Sequence, residues 1–293
     1  MKKTLSIALA LVLCLGLLAA CGEAKTDPSE APASDTPASD TPSSEPIELT
    51  GIVNTDGSTS MNDVMLALIE GFKSVQPGVT VNYNGSGSGS GISGVLAGSC
   101  DLGLSSRALT DDEKAEGAVE NVIAKDGVAV VVNPANPVTE LTSEQIAKIF
   151  TGEITNWSEV GGEDAEIAVF GRDSASGTRS AFEEILGIQD KCAYLNEYSS
   201  TGDVIGNVAS NPNAIGYASL SALNDTVKAV NVEGVECTEA TVQDGTYAIQ
   251  RPFLIVTKDG AQLSDAAQAI LDYAKSGDVA ELLVHAGAVP PAK

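Results

Sequence analysis

The amino-acid sequence predicts an α/β fold, because strand-like and helix-like apolar patterns alternate along the chain from residue 47 onward. Short apolar runs typical of strands lie at 49–54, 79–83, 101–105, 127–132, 166–170, 214–218 and 253–256. Apolar residues three and four positions apart predict helices at 61–75, 143–150, 179–186, 203–209 and 266–274. Three of the connections from a strand to a helix are short loops rich in Gly, Ser and Thr, and these loops indicate where a ligand would bind.

The first 20 residues predict a secretory signal peptide. They contain two lysines near the start, an apolar run from Leu5 to Leu18 and small residues before Cys21. The segment LAAC at 18–21 resembles the lipobox of bacterial lipoproteins. That resemblance implies that Cys21 carries lipid, palmitate included, and anchors the protein to the outer face of the cell membrane. The alternative is an ordinary cleavage site that happens to precede a cysteine.

Residues 21–46 predict a disordered tether between the anchor and the folded region. After Cys21 the segment consists mainly of Pro, Ser, Thr and acidic residues, and it has no aliphatic residue larger than Ala. Such a composition buries too little apolar surface to offset the entropy lost on ordering. We therefore expect the folded region to begin at about residue 47.

Charge and residue usage exclude several classes of protein. The chain has 293 residues and a formal net charge of −24, which argues against a nucleic-acid partner or a charge-based contact with anionic lipid. The single histidine, His285, cannot build a multi-histidine metal site, and most hydrolytic mechanisms lose their usual base. Cys100, Cys192 and Cys237 lack metal-ligand spacing and permit one disulfide at most, with three buried thiols as the alternative. We expect no metal and no cofactor.

Two proline-containing segments, 132–137 and 249–253, look like places where the chain passes from one packed unit to another. They predict a first lobe formed by residues 47–133 plus 252–293 and a second lobe formed by residues 134–251. Two lobes joined by two hinge crossings leave a cleft between them, and ligands usually bind in such clefts.

The three loops predict an oxyanion site in that cleft. They lie at 56–60, 84–91 and 171–179, each after a strand and at the start of a helix, the second leading into a helical run at 92–96. Helix starts carry free N–H groups and a partial positive charge, and Arg172 or Arg179 could add a bidentate cation. The spacing of Ser60 and Asp63 also predicts a capping box. Because the chain is strongly acidic, an anion must be bound locally, by these dipoles and one or two arginines.

Each loop also has an ordinary interpretation. A single capped helix start is more often structural than ligand-binding, and the run GSGSGSG at 85–91 is also typical of a flexible linker. Residues 89–94 match G-x-G-x-x-G but begin several residues after the strand, which argues against a dinucleotide site. The sequence has no P-loop and no G-x-S-x-G elbow, and its serines have no partner base.

Six stretches together resemble the phosphate-binding proteins of bacterial phosphate ABC transporters, in the lipoprotein form found in Gram-positive bacteria. They are GSTS at 57–60, VNYNGSGSG at 81–89, DLGLSSR at 101–107, IFTGEITNW at 149–157, RDSASGTR at 172–179 and NAIGY at 213–217. The resemblance implies a two-lobed periplasmic-binding-protein fold of type II. It also implies capture of inorganic phosphate and delivery to the permease subunits of an ABC importer.

The resemblance further implies a set of phosphate ligands, which are Ser58, Thr59, Ser60, Ser88, Ser106, Arg172, Ser176, Gly177 and Thr178. In some members the position of Ser106 is an Asp that accepts the proton of monohydrogen phosphate and so rejects sulfate. In this sequence four residues are candidates for accepting the phosphate proton, namely Ser106, Asp56, Asp126 and Asp173. We choose Asp126, for which the ordinary interpretation is a solvated turn residue.

We therefore expect an extracytoplasmic, lipid-anchored and monomeric binding protein with no catalytic step. One alternative is binding of another oxyanion, namely sulfate, molybdate or tungstate, and a carboxylate acceptor in the cleft would discriminate between these anions. A second alternative is a phosphate-releasing enzyme. A third is a sensor or adhesin that kept the fold and lost its ligand.

Overall fold

A computed structural model describes residues 48–291 of the chain. Contacts group residues Pro46–Lys293 into one compact unit. The signal peptide, the lipidated Cys21 and the tether lie outside the described residues, so these three stay predictions.

The strands confirm the α/β prediction. All seven predicted runs form strands. The remaining four strands are too short to show the alternation of apolar and polar residues that predicts a strand. The strands are β1 (Gly51–Gly57), β2 (Val79–Gly85), β3 (Leu102–Ser105), β4 (Ala118–Val132), β5 (Glu140–Leu141), β6 (Ala168–Arg172), β7 (Asn196–Tyr198), β8 (Ala214–Ser219), β9 (Lys228–Ala229), β10 (Asn231–Val232) and β11 (Gln250–Lys258).

The five predicted helices are also present, and α2 contains the helical run at 92–96. The helices are α1 (Asn62–Val75), α2 (Ser88–Ala97), α3 (Asp111–Ala115), α4 (Ser143–Phe150), α5 (Gly177–Ile185), α6 (Thr201–Ser210), α7 (Glu239–Gln243), α8 (Asp265–Lys275) and α9 (Ala280–His285). In α4, Ile146, Ile149 and Phe150 are buried, so the apolar stripe of the sequence is the packed face.

Most strands belong to one mixed sheet with the order β2-β1-β3-β11-β4-β8-β6-β7, in which β9 also pairs with β4. β1 pairs in parallel with β2 and β3, and β6 pairs in parallel with β7 and β8. Between these two parallel groups, β11 is antiparallel to β3 and to β4, and β8 is antiparallel to β4. The long strand β4 is thus shared by both groups.

The strand directions make the carboxyl ends of the two groups face each other. Because β4 runs in the same direction as β3 and opposite to β8, β3 and β8 end toward each other. Ser105 at the end of β3 pairs with Leu254 of β11, which pairs with Val122 of β4. Ser219 at the end of β8 pairs with Val128. Residues of β4 between Val122 and Val128 therefore lie level with the space that the two groups of strand ends enclose.

Two large apolar clusters fill the described region. The first core contains Phe72 and Ile255, and the second core contains Phe150 and Tyr217. β4 contributes Ile123 and Ala124 to the first core and residues 128–132 to the second. β4 thus passes from the first core to the second between residues 124 and 128, which is earlier in the chain than the predicted crossing at 132–137. The lobe boundaries given above stay a prediction.

Close packing of α2 on β1 predicts a large cost for one glycine substitution. A Cβ at Gly91 would lie 2.3 Å from the carbonyl oxygen of Asp56, whereas a Cβ at Gly206 in α6 would meet nothing within 4 Å. We expect Gly91→Ala to lower the free energy of unfolding by about 1–3 kcal/mol. Gly206→Ala, the matched control, should raise it by about 0.5–1 kcal/mol. Urea unfolding checks both, and equal stability of Gly91→Ala and the unsubstituted protein would contradict the packing.

Candidate functional site

The predicted ligand positions come together where the strand ends face each other. Eight of the nine are buried, and Thr59 is half-buried. They come from four elements: the turn after β1, the start of α2, the residue after β3, and the segment from β6 to α5. The loops that the sequence placed far apart thus form one cluster.

Ser60 joins the first loop to the third. Its Oγ lies 2.6 Å from Oγ1 of Thr178 and 3.1 Å from Oγ1 of Thr201. The predicted capping box of Ser60 and Asp63 is wrong, because a 3₁₀ turn precedes α1 and the residue before the helix is Met61, which makes no side-chain capping bond. That turn places the Ser60 hydroxyl in the cluster instead of at the helix start.

The second loop is the start of a helix, so the flexible-linker interpretation is wrong. Gly87 has φ 101°, a conformation that favours glycine, and it turns the chain from β2 into α2. The Ser106 N–H donates to Ser88 Oγ at 3.0 Å, and the two hydroxyl oxygens are 3.3 Å apart. The N–H of Gly89 donates to the carbonyl oxygen of Ala175 at 3.0 Å, which ties α2 to the third loop.

The third loop brings the start of α5 against these two serines. Ser176 caps the helix by accepting from the Arg179 N–H at 3.2 Å. A Cβ at Gly177 would lie 2.2 Å from Ser88 Oγ and 3.0 Å from Ser106 Oγ. Only a residue without a side chain permits this close approach, so the first turn of α5 presents bare backbone to both hydroxyls.

Arg172, at the end of β6, is buried and bonded only to neutral groups. Its Nε donates to the carbonyl oxygen of Tyr198 at 3.1 Å, its Nη2 to that of Ser199 at 2.8 Å and its Nη1 to Thr201 Oγ1 at 3.0 Å. Among the described residues, no carboxylate forms an ion pair with it. Burial lowers the pKa of Arg172, because desolvation penalises its charge.

The other predicted cation, Arg179, is held by acidic residues. Its Nε donates to Glu183 at 2.8 Å and its Nη1 pairs with Glu197 at 3.0 Å. These contacts neutralise its charge, so Arg172 is the candidate cation of the three loops.

Sequence reasoning missed Thr201, which links Arg172 to Ser60. Thr201 begins α6 after β7, and the segment SSTG at 199–202 has the same design as the three loops. Its Ser, Thr and Gly composition could have identified Thr201 as a site residue from the sequence.

Asp126 is fully buried, so the solvated-turn interpretation is wrong. Its Oδ1 accepts from Ser219 Oγ at 2.7 Å, and its Oδ2 accepts from Nε and Nη2 of Arg251 at 3.0 and 2.9 Å. Burial raises the pKa of Asp126, while the positive charge of Arg251 and the hydroxyl of Ser219 oppose that rise. Its role as a proton acceptor stays a prediction. Arg251 is a second residue that sequence reasoning missed.

The cysteines of the described region are free thiols, and burial raises the pKa of Cys237 to about 12. Residues 48–291 contain no group of three His, Cys, Asp or Glu side chains that could hold a metal ion. None of the helices in that range is long and apolar enough to cross a membrane.

A fold and site of this kind define a solute-binding protein. A family model described as the PBP superfamily domain matches residues 28–278. The structure resembles that of a phosphate ABC transporter substrate-binding protein from Clostridium perfringens with bound phosphate, at 38% identity and a TM-score of 0.80 over 83% of this chain and 100% of that one. It also resembles an ABC-type phosphate transport receptor from Vibrio cholerae, at 34% identity and a TM-score of 0.68 over 82% and 100%. The predicted type II periplasmic-binding-protein fold is confirmed.

Curated relatives identify the family more closely. The phosphate-binding protein PstS of Borreliella burgdorferi is 31% identical over 80% of this chain and 88% of its own length. That of Bacillus subtilis is 33% identical over 80% and 79%. The chain belongs to the PstS family of phosphate-binding proteins, as the resemblance implied.

The buried ion pair predicts a large loss of stability when one partner is removed. Asp126→Ala leaves the Arg251 charge buried without a partner, and we expect the free energy of unfolding to fall by about 3–5 kcal/mol. Glu144→Ala is the control, because it removes an exposed ion pair with Lys148 and should leave stability unchanged. Urea unfolding at pH 7 measures both. Equal midpoints for the two variants would contradict the pairing.

Proposed function

We propose that this protein binds inorganic phosphate outside the cytoplasm and delivers it to the permease subunits of an ABC importer. The observation that carries the proposal is the buried cluster of hydroxyl groups and helix starts around Arg172, a guanidinium that makes no ion pair in the described region. The names of the curated relatives and the phosphate bound in the Clostridium perfringens structure support it.

The chemistry of the cluster suits a small oxyanion. Phosphate oxygens are hydrogen-bond acceptors, and the cluster offers the hydroxyls of Ser60, Ser88, Ser106 and Thr178 together with the free N–H groups at the starts of α2 and α5. A fixed cation adds charge-assisted donors. With a net charge of −24 the protein cannot attract an anion by its overall field, so these local donors must supply the affinity.

We assign phosphate binding to the residues that the sequence suggested, which are Ser58, Thr59, Ser60, Ser88, Ser106, Arg172, Ser176, Gly177 and Thr178. Their placement in one buried cluster supports the assignment. Asp126 stays the candidate proton acceptor, although its oxygens already accept from Ser219 and Arg251.

The remaining parts of the proposal concern how the protein works in the cell. We propose a monomeric, extracytoplasmic lipoprotein that is anchored through lipidated Cys21, uses no cofactor and catalyses no reaction. The lipobox-like sequence at 18–21 supports the anchor, and the names of the relatives support the transport role.

The relatives favour phosphate over sulfate, molybdate or tungstate, and they favour binding over a phosphate-releasing activity. Calorimetric titration of the purified protein with each anion tests the choice, after bound ligand has been removed by unfolding and dialysis. Tight one-to-one binding of phosphate supports the proposal. The absence of detectable phosphate binding, or the release of phosphate from a model ester, would overturn the proposal.

Two substitutions test the assignment of the third loop. Arg172→Ala and Thr178→Val each remove donors, and each should weaken phosphate binding by about 1.5–3 kcal/mol, the range for hydrogen bonds to a charged group. Thr246→Val changes an exposed threonine and serves as the control. Calorimetry measures the dissociation constants, and unchanged phosphate affinity in either variant would show that the third loop is misassigned.

Ser106→Asp tests how phosphate is distinguished from sulfate. A carboxylate at this position accepts the proton of monohydrogen phosphate but repels sulfate, which has no proton to donate. We expect the variant to keep phosphate affinity and to weaken any sulfate binding about tenfold or more, a difference of about 1.4 kcal/mol. Ser106→Asn is the neutral control. Competition between the two anions is the measurement, and equal sulfate binding by both variants would argue against the acceptor.

A further inference from the structure

The ion pair of Arg251 and Asp126 leaves one guanidinium nitrogen without a partner. Both side chains are almost completely buried, with exposed fractions of 1% and 0%. Nε and Nη2 of Arg251 donate to the same oxygen, Oδ2 of Asp126. Nη1 is buried and has no hydrogen-bond partner among the described residues. A buried donor of a charged group is costly to leave unpaired, so this atom indicates a missing acceptor.

The pair lies level with the candidate site. Arg251 and Asp126 are opposite each other on β11 and β4, between the level of Ser105 at the end of β3 and that of Ser219 at the end of β8. This is the level at which the two groups of strand ends face each other. The phenyl ring of Phe253 lies 5.6 Å from Cζ of Arg251, so apolar packing limits the directions in which the guanidinium can point.

Polar contacts connect the pair to the phosphate-binding cluster. Ser219 Oγ donates to Asp126 at 2.7 Å, and Ser221 Oγ donates to the carbonyl oxygen of Ser60 at 3.2 Å. The two serine hydroxyl oxygens lie 2.7 Å apart. Ser60 Oγ is the hydroxyl that contacts Thr178. Three residues thus link Asp126 to the first and third loops.

The buried charges of this region do not balance. Arg172 and Arg251 are both buried cations, and Asp126 forms the one ion pair that they make within residues 48–291. Besides burial, which is the largest cause, the charge of Arg251 lowers the pKa of Arg172, so the two guanidinium groups are near enough to repel each other. The charges of Asp173 and Asp203 raise the pKa of Arg172, but neither residue pairs with it within residues 48–291. An anion between the two buried cations would supply the missing partner.

We propose that Arg251 is a second guanidinium ligand of the bound phosphate, donating to it through Nη1 while Asp126 fixes the orientation of its side chain. The inference rests on the proposed function and adds a ligand from the strands that cross between the two cores. Arg172 approaches the anion from the third loop, and Arg251 approaches it from β11. Asp126 then acts as a positioning residue whose carboxylate holds the other two nitrogens of Arg251.

The test is a substitution that keeps the charge and removes the unpaired donor. Arg251→Lys retains a cation for Asp126 but cannot donate from the Nη1 position, and we expect it to weaken phosphate binding about 10- to 100-fold in calorimetric titration of the purified protein. Arg107→Lys is the matched control, because Arg107 makes a comparable two-bond pair with Glu113, and its phosphate affinity should not change. Thermal unfolding of both variants shows whether they fold.

A crystal structure of the unsubstituted protein saturated with phosphate tests the contact itself, even if Arg251→Lys does not fold. We expect Nη1 of Arg251 at hydrogen-bond distance, about 2.7–3.2 Å, from a phosphate oxygen. Phosphate bound without this contact overturns the inference and leaves the proposed function standing, and so does a folded Arg251→Lys variant with unchanged affinity. Absence of any phosphate binding by the unsubstituted protein overturns both.

Discussion

β4 runs through both apolar cores, and the position of every site element depends on that strand. It is 15 residues long, pairs with β11 over residues 118–127 and with β8 over residues 128–132, and so fixes the levels at which the neighbouring strands end. Because the parallel strands on one side of β4 run opposite to those on its other side, the carboxyl ends of the two sets of strands face each other. The loops that follow those strand ends therefore contact each other although each loop is short.

That meeting point solves a problem of charge for a strongly acidic protein. Its overall field repels anions, yet the donors of the cluster are neutral hydroxyls, backbone N–H groups and a guanidinium bonded to carbonyl and hydroxyl oxygens. Three carboxylates of this region are held by other bases: Glu183 and Glu197 pair with Arg179, and Asp126 pairs with Arg251. Pairing these three acids with their own bases limits the negative charge near the cluster.

Local sequence patterns predicted the longer strands and helices and the first three loops of the site, because each of these depends on apolar period or on Gly, Ser and Thr composition. They failed where the structure depends on distant partners. β4 begins at Ala118 rather than at residue 127, since its first half is stabilised by pairing with β11, which follows it by more than a hundred residues. Asp126 and Arg251 are 125 positions apart, and nothing near either residue indicates the other. The 3₁₀ turn also places Ser60 in contact with Thr178 and Thr201, which lie more than a hundred positions further along the chain.

The hydrogen bonds of the hydroxyl network run in one direction from donor to acceptor, and that direction affects which anion the cluster can bind. Arg172 Nη1 donates to Thr201 Oγ1, so the single hydroxyl proton of Thr201 is free to be donated onward, to Ser60 Oγ at 3.1 Å or to Thr59 Oγ1 at 3.3 Å. A charged donor at one end of such a chain polarises each following hydroxyl as a donor. The last hydroxyl of such a chain, that of Thr178 beyond Ser60, keeps its proton free to donate to an anion. The chain thus favours any tetrahedral oxyanion, and discrimination by protonation state must come from an acceptor outside it, for which Asp126 stays the candidate.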